Sequence, residues 1–302
     1  MQYHVNHTTT YEYSEPVSLC QNLAHLTPRD VANQLCLQSD LRITPEPQVM
    51  ANRIDYFGNP ACFFAIQKSH RRLIIEATHD IDVSESVTPD PATTPAWEEV
   101  RDLLPIDTSP PLLEAVQYVY DSRYIKCGSE LAEYALPSFP SGLPILQAAI
   151  DLTRRIHTDF KYDPRATTVA TPLREVLHNR RGVCQDFAHL QIGCLRSLGL
   201  AARYISGYLS TKPPPGRKRL VGADATHAWV SIYCHGFGWI DLDPTNNQVP
   251  SDQHLLLAWG RDFDDVSPIK GVILGGGQHT VKVGVDVATR PAEVEDESVG
   301  IA

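Results

Sequence analysis

The chain has 302 residues, 42% hydrophobic and 21% charged, a balance typical of a globular protein large enough for two domains. Lysine and arginine total 26 against 36 aspartates and glutamates, and the formal charge of −10 argues against nucleic acid as a partner. Because the N-terminus has no basic and apolar leader and no apolar run approaches the roughly 18 residues of a membrane span, we expect a cytoplasmic protein without membrane attachment.

Residues 1–83 are predicted to form an antiparallel β-sandwich. The runs QYHVNHTTTYEY and RRLIIEATHDIDV are rich in β-branched and aromatic residues, and a Phe-Gly-Asn-Pro turn separates two further runs of this kind. The next stretch, SESVTPDPATTPAW, is rich in proline and threonine. It indicates a linker, which we place at residues 84–110.

Residues 111–265 are predicted to form the second domain, in which helices come first and strands follow. Apolar residues at spacings of three and four indicate a helix in LPILQAAIDLTRRIHTDF, and TPLREVLHNRRG indicates a shorter helix that Gly182 ends. AARYISGYL, THAWVSIYC and GWIDLDP are β-rich. The whole chain is therefore predicted to be α+β.

The end of the chain is predicted to form a β-hairpin at residues 266–290 and a solvated acidic tail at 291–302. In the hairpin, the valines from Val281 to Val287 alternate along the strand and share one face. The glycines at 275–277 indicate a turn, since no Lys-Ser or Lys-Thr follows as in a phosphate-binding loop.

Seven cysteines are scattered along the chain without a CxxC pair, which argues against a disulfide framework and a zinc ribbon. We expect free thiols and no cofactor. One of them stands out, because RRGVCQDFAHLQIGCLRSLGL places it directly after Arg-Gly-Val at the start of a helical pattern.

Helical spacing of Cys184, Phe187, Gln191 and Cys194 puts Cys184 at the amino end of a core-facing helix. Unpaired backbone N–H groups and the helix dipole favour a thiolate there and can stabilise an oxyanion. Asp186 opposes the thiolate if it points the same way. Position alone leaves Cys184 as either a nucleophile or a buried packing residue.

A nucleophilic thiolate needs a base, and His227 is the best candidate. His189, on the helix of Cys184, lies roughly 140° around the axis and is poorly aimed. The run that begins at His227 and the run WIDLDPTNN are predicted to form a hairpin. If Tyr233 pairs with Trp239, Asp243 falls diagonal to His227 on the same face, within reach of its side chain.

The strand argument leaves Asp241, which has the same parity as Asp243, as a second orienting candidate for His227. A Cys, a His and an Asp together supply a nucleophile, a general base and a group that orients the base. The sequence thus contains the components of an acyl-transfer site.

At these residues the chain resembles the bacterial transglutaminase-like proteins, a branch of the papain-like cysteine enzyme superfamily. The resemblance rests on GVCQDFAHLQIGCLRSLGL, DATHAWVSIYCHGFGWIDLDPTNN and GRDFDDVSPIKGVILGGGQH, and HTTTYEYSEPV and DYFGN resemble the β-rich region that precedes the core in that family. It implies a papain-like core in which a helix carrying the cysteine packs on an antiparallel sheet.

The resemblance also implies a triad of Cys184 as nucleophile, His227 as base and Asp243 as orienter, and it favours Asp243 over Asp241. Eukaryotic transglutaminases use an aromatic side chain upstream of the cysteine for the oxyanion. No tryptophan stands in that region here, so Tyr162 of KYDP is the substitute candidate. Gln185 and Trp229 are further candidates for contact with substrate or oxyanion.

The leading hypothesis is a cysteine peptidase or amidase that hydrolyses a protein or peptide substrate through a thioester. Transglutaminase activity toward glutamine and an amine is an alternative within the family. A metal site built from Cys, His and Asp is disfavoured, because their spacing is not that of zinc ligands and a fourth ligand is not apparent. A non-catalytic interaction module remains a third alternative.

The basic loop TKPPPGRKR, which precedes His227, either borders the cleft or is simply solvated. The sequence carries no signal of oligomeric state.

Overall fold

A computed structural model describes residues 1–210, 216 and 225–290. Most of the basic loop at 211–219 and the acidic tail at 291–302 lie outside this part. The predicted α+β class is confirmed. Among the described residues no helix combines the length and apolarity that crossing a bilayer requires.

The strands and helices are numbered separately in chain order. The strands are β1 Gln2–Ala24, β2 Gln34–Thr44, β3 Val49–Ile54, β4 Pro60–Ile66, β5 His70–Val83, β6 Lys161–Tyr162, β7 Arg181–Gly182, β8 Ala202–Leu209, β9 His227–Cys234, β10 Gly238–Leu242, β11 His254–Gly260, β12 Ile269–Gly275 and β13 His279–Arg290. The helices are α1 Trp97–Leu103, α2 Pro110–Val116, α3 Ser129–Ala135, α4 Ile145–Asp159, α5 Leu173–Asn179 and α6 Cys184–Ser197.

The N-terminal region is organised around the long strand β1, whose first and last parts pair with different strands. The first half of β1 pairs antiparallel with β5 on one edge and β13 on the other, and its last third pairs with β4 and β12. With β2 on β5 and β3 on β4, this makes a seven-stranded antiparallel sheet. The predicted antiparallel β-rich region is confirmed, and its described strands form one continuous sheet through β1.

The pairing of β1 is irregular between Tyr13 and Val17, where the strand changes partners, and we call this segment the corner of the sheet. On one edge, Gly275 and Gly276 have φ of 89° and 87°, conformations that side chains rarely adopt, and a Cβ on Gly276 would lie 3.0 Å from Val17 Cγ2. Apolar residues of both halves pack inside the corner, among them Phe64 of β4 and Ile75 of β5. The N-terminal sheet thus has a hydrophobic core of its own.

The predicted hairpin at 266–290 is wrong. Within the described chain, β12 and β13 pair with successive parts of β1 along one edge, and their pairings are with β1 rather than with each other. The glycine turn at 275–277 therefore forms the corner instead of reversing the chain. The valine face of β13 is graded, from 46% exposed at Val281 to 0% at Val287, because only the end of the strand reaches the main core.

The predicted linker at 84–110 contains α1, which belongs to the main core. Trp97, Val100 and Leu104 are buried there. Their spacing of three and four places them on one helical face, a signal that the preceding prolines obscured. The segment therefore packs against the domain that it was expected only to connect.

The second sheet has four antiparallel strands in the order β10-β9-β8-β11. One face of β9, including Val230 and Ile232, packs into the core that also holds α4 and α6. The predicted helix that carries the cysteine and packs on an antiparallel sheet is confirmed. Cys194, in the middle of that helix, is fully buried in the core.

The free edge of β11 is covered by two side chains of the N-terminal region. The carboxamide of Gln34 donates to the carbonyl of Leu256 and accepts from its N–H, both at 2.8 Å. Asn59 does the same for Trp259, at 2.9 and 3.0 Å. The two carboxamides take the place of a neighbouring strand, so the N-terminal region fixes the position of β11.

Candidate active site

Cys184 is the first residue of α6 and is half-buried. The preceding helix α5 ends at Asn179 with Arg180 as a left-handed cap, φ 53°, and it does not extend to Gly182 as predicted. Gly182 is needed for another reason, since a Cβ there would lie 2.7 Å from Asp186 Oδ2. The Gly-Val-Cys sequence thus lets the chain pass closely over the first turn of the helix before the cysteine begins it.

The Asp186 carboxyl is held by hydrogen bonds at the start of α6. Its Oδ2 accepts the N–H of Val183 at 2.8 Å and the hydroxyl of Thr167 at 2.6 Å, so the carboxyl caps the helix. Burial raises the pKa of this carboxyl, although both hydrogen bonds act in the opposite direction. Asp186 therefore orders the start of the helix that presents Cys184.

The hairpin of β9 and β10 has the predicted register, with Tyr233 paired to Trp239. It brings His227 and Asp243 together with Nε2 to Oδ2 at 2.9 Å, and both side chains are fully buried. Asp241 instead accepts the indole N–H of Trp229 at 2.9 Å. Of the two aspartates that the strand argument left open, the structure places Asp243 on His227.

Asp243 is surrounded by hydrogen-bond donors. Its Oδ1 accepts the backbone N–H groups of Thr245 and Asn246 at 2.9 and 3.1 Å. Its Oδ2 accepts His227 at 2.9 Å, the Asn246 amide at 2.8 Å and Nε2 of His254 at 3.1 Å. Although burial favours the neutral acid, His227 and His254 hold the pKa of this carboxyl well below its usual range.

The pKa of His227 is shifted in the opposite direction to that of Asp243. Burial disfavours the charged ring, but the negative charge of Asp243 and interaction with Cys184 outweigh burial and raise the pKa of His227 to about 10. Because Asp243 occupies Nε2, Nδ1 is the nitrogen left for the thiol. The arrangement stabilises an imidazolium next to the sulfur.

Trp229, a predicted candidate for substrate contact, lies beneath His227 and is only 1% exposed. The two rings are stacked, with centroids 6.0 Å apart and planes inclined by 27°. The indole is anchored by its hydrogen bond to Asp241. Trp229 thus packs against the histidine, and because it also lines a cavity of ≈ 330 Å³, its contact with substrate stays a prediction.

Tyr162 and Gln185 lie near the start of α6. Tyr162 on β6 pairs with Gly182 on β7, and its ring meets that of Phe187 at a centroid distance of 6.5 Å. Gln185 is the second residue of the helix and is half-buried. Both keep their predicted candidacy for the oxyanion or substrate, with Tyr162 placed on the strand beside the cysteine loop.

His254 is the residue that sequence reasoning missed. It begins β11, which was not predicted as a strand, and β11 pairs with β8 rather than with the predicted hairpin. In the sequence, the sign of this strand is a histidine directly before the apolar run LLLAW.

In the described chain, His227, Asp243 and His254 form a cluster whose ligand-type atoms lie within 4.8 Å of one another and could hold a metal ion. A metal bound through the Nε2 atoms would have to replace the two ring protons that reach Asp243, whose oxygens already accept three other donors. A site without metal stays our prediction. Metal analysis of the purified protein checks it, and one equivalent of zinc would contradict it.

Two family descriptions match the chain, the bacterial transglutaminase-like N-terminal region over residues 3–82 and the transglutaminase-like superfamily over residues 140–244. The chain belongs to the transglutaminase-like superfamily. The resemblance noted in the sequence is thereby confirmed. The superfamily as a whole supports an enzyme with cysteine-dependent catalysis and leaves peptidase and transamidase activity unseparated.

Relatives of this transglutaminase-like chain match different shares of its length. An uncharacterized protein of Mycobacterium tuberculosis is 40% identical over 295 residues, which cover 95% of this chain and 92% of the relative. A protein-glutamine gamma-glutamyltransferase of Pseudomonas aeruginosa is 28% identical over 128 residues, or 36% of this chain and 19% of that protein. The crystal structure of a Cytophaga hutchinsonii protein described as a "Putative Cysteine Protease" shares the fold, with a TM-score of 0.76 at 21% identity, over 97% of this chain and 92% of that one.

Proposed function

We propose that this protein is a cysteine-dependent acyl-transfer enzyme in which Cys184 is the nucleophile, His227 the general base and Asp243 the group that orients the base. The observation that carries the proposal is the buried His227–Asp243 pair, joined at 2.9 Å, whose free ring nitrogen is left for the cysteine at the start of α6. A buried imidazolium next to a thiolate is the activated form of such a nucleophile.

In the proposed reaction, the Cys184 thiolate attacks the carbonyl carbon of a peptide or carboxamide, and the carbonyl oxygen becomes an oxyanion. The first N–H groups of α6 and the Tyr162 hydroxyl or Gln185 amide are the candidate donors to that oxygen. The C–N bond then breaks, ammonia or an amine leaves with the proton from His227, and a thioester remains.

Water or an amine resolves the thioester. His227 takes a proton from the incoming group, the acyl carbon–sulfur bond breaks, and the cysteine is restored. We propose hydrolysis of a protein or peptide substrate as the default outcome. Transamidation is the second candidate, supported by the name of the Pseudomonas aeruginosa relative over about a third of this chain.

Mass spectrometry of a glutamine peptide and a peptide library, incubated with excess primary amine, tests both outcomes. Hydrolysis predicts carboxylic acid products, and transamidation predicts the amine adduct. The Cys184→Ala variant is the matched control, and its products should disappear in either case. Stoichiometric incorporation of the amine would overturn the hydrolase proposal, and equal product from the native protein and the variant would overturn the nucleophile.

Thiol chemistry distinguishes an enzyme from a non-catalytic interaction module. Burial raises the pKa of six of the seven cysteines, with Cys36 and Cys127 at about 11 and Cys234 at about 12. We expect iodoacetamide at neutral pH to label Cys184 at least about tenfold faster than any other cysteine. Labelling of Cys184 at the rate of the rest would favour the interaction module.

A further inference from the structure

His254 shares the carboxylate that orients His227. Its Nε2 lies 3.1 Å from Asp243 Oδ2, the same oxygen that His227 contacts at 2.9 Å. The His254 side chain is 2% exposed. Two imidazole N–H groups thus converge on one oxygen of a fully buried carboxylate.

The rest of the His254 ring is held by packing. Its Nδ1 is buried and has no hydrogen-bond partner in the described chain, so the contact with Asp243 is the polar anchor of this side chain. Trp229 meets the ring edge-on, with centroids 5.2 Å apart and planes at 83°. The position of β11 is set independently by Gln34, which is bonded to Leu256 two residues along the strand.

We propose that His254 is a positioning residue that acts on the reaction through Asp243, a role that rests on the function proposed above. Its N–H donates to Oδ2 and keeps the carboxylate ionised and turned toward His227. An apolar side chain at this position would leave a lone pair of a buried carboxylate without a donor, which disfavours the charge that His227 needs. His227 would then hold its proton less strongly, and Cys184 would react more slowly.

The rate of Cys184 alkylation by iodoacetamide at neutral pH tests the role without knowledge of the substrate. His254 also lines a cavity of ≈ 330 Å³, so truncation to alanine would enlarge it, and substitutions of similar size are preferable. His254→Leu removes the donor. His254→Gln places an amide N–H near the position of Nε2, and we expect it to restore the function.

We expect H254L to lower the alkylation rate about tenfold, the size of one hydrogen bond to a charged group, and H254Q to stay within about twofold of the native rate. His79, which is equally buried in the N-terminal sheet, gives the matched control His79→Leu. This control is expected to lower stability without changing Cys184 reactivity.

Native-like alkylation of H254L would overturn the positioning role, and so would a folded H254Q that is as slow as H254L. If H254L does not fold, His254→Asn replaces it, because its amide is one methylene shorter than that of H254Q and cannot reach Asp243. Asn and Gln variants with equal rates would then overturn the role. Failure of the proposed function looks different, since Cys184 of the native protein would react no faster than the other cysteines.

Discussion

Buried histidines occur in both antiparallel sheets, and they differ in whether a carboxylate is hydrogen-bonded to the ring. His7 and His79 in the N-terminal sheet contact hydroxyl groups of Tyr208, Thr9 and Ser39. Burial lowers the pKa of each to about 4. In the four-stranded sheet, His227 is equally buried, yet its pKa is raised to about 10.

At His7 and His79, burial without a carboxylate partner favours the neutral ring. A buried carboxylate that is itself held by several donors reverses the effect, because it compensates the cost of removing the imidazolium from water. In the proposed mechanism, a proton acceptor for Cys184 therefore requires the hydrogen-bonded Asp243 carboxylate as well as a histidine near the thiol. The following substitutions test that contrast, from the largest expected effect to the smallest.

Asp243→Asn should give His227 a lowered pKa, as His7 and His79 have in the N-terminal sheet. The amide removes the negative charge and keeps the shape, so the pKa of His227 should fall below 6.5 and turnover should drop by about 10³ to 10⁴. NMR titration of the imidazole C–H protons and the rate of product formation measure the two effects.

Asp241→Asn is the control for D243N, because it changes the carboxylate that is bonded to Trp229 instead. It should leave the titration of His227 close to native. A D243N protein in which His227 still titrates near pH 10 would show that the carboxylate is not the source of the contrast.

Phe64→Ala tests whether the two sheets are independent. Phe64 is fully buried in the corner of the N-terminal sheet, so its loss should lower the free energy of unfolding by about 3 to 5 kcal/mol. Urea unfolding measures the loss, and Cys184 alkylation in the folded protein should stay within about twofold of native. Ile232→Ala on β9 is the matched change beneath the other sheet, and it should slow alkylation. Equal slowing by both substitutions would contradict independence.

His79 and His227 are expected to change the free energy of unfolding in opposite directions as the pH changes. For His79 the folded pKa of about 4 lies below the ordinary histidine value of 6.5, so the unfolded chain binds more protons and stability falls as the pH drops through this window. His227, with a raised pKa, contributes stability below pH 6.5 that is lost as the pH rises toward 10.

His79→Gln should therefore remove part of the acid sensitivity, about 3 kcal/mol near pH 4 relative to pH 7. Urea unfolding at both pH values measures it. His178→Gln, on the exposed side of α5, is the control and should leave the pH dependence unchanged. An H79Q protein with native acid sensitivity would refute the assignment.

Trp229→Phe should have the smallest effect, because it preserves the stack on His227 and loses only the hydrogen bond to Asp241. We expect Cys184 alkylation to slow by about twofold to tenfold. Trp259→Phe is the control, because Trp259 lines the same cavity as Trp229 and His254. A loss as large as that of D243N would give the indole a more direct role than support.

Local patterns in the sequence predicted the helices and strands around the site, but not the distant strands and side chains that these elements contact. The hairpin register followed from alternation and a glycine turn, and it placed Asp243 within reach of His227. His254 could not be predicted, because its contact depends on the order of strands in the sheet and on Gln34, far away in the sequence. The prediction of a hairpin at 266–290 was wrong for the same reason. No local pattern indicates that β1 continues past the corner and pairs with both β12 and β13.

The length of β1 also has a consequence for the order of folding. One of its edges is completed by β12 and β13, at the far end of the described chain. During synthesis on the ribosome that edge stays open until residues 269–290 emerge, and an open edge recruits other strands. The first strand to be made is thus among the last to be finished, and the nascent protein needs protection from self-association for nearly the whole of its translation.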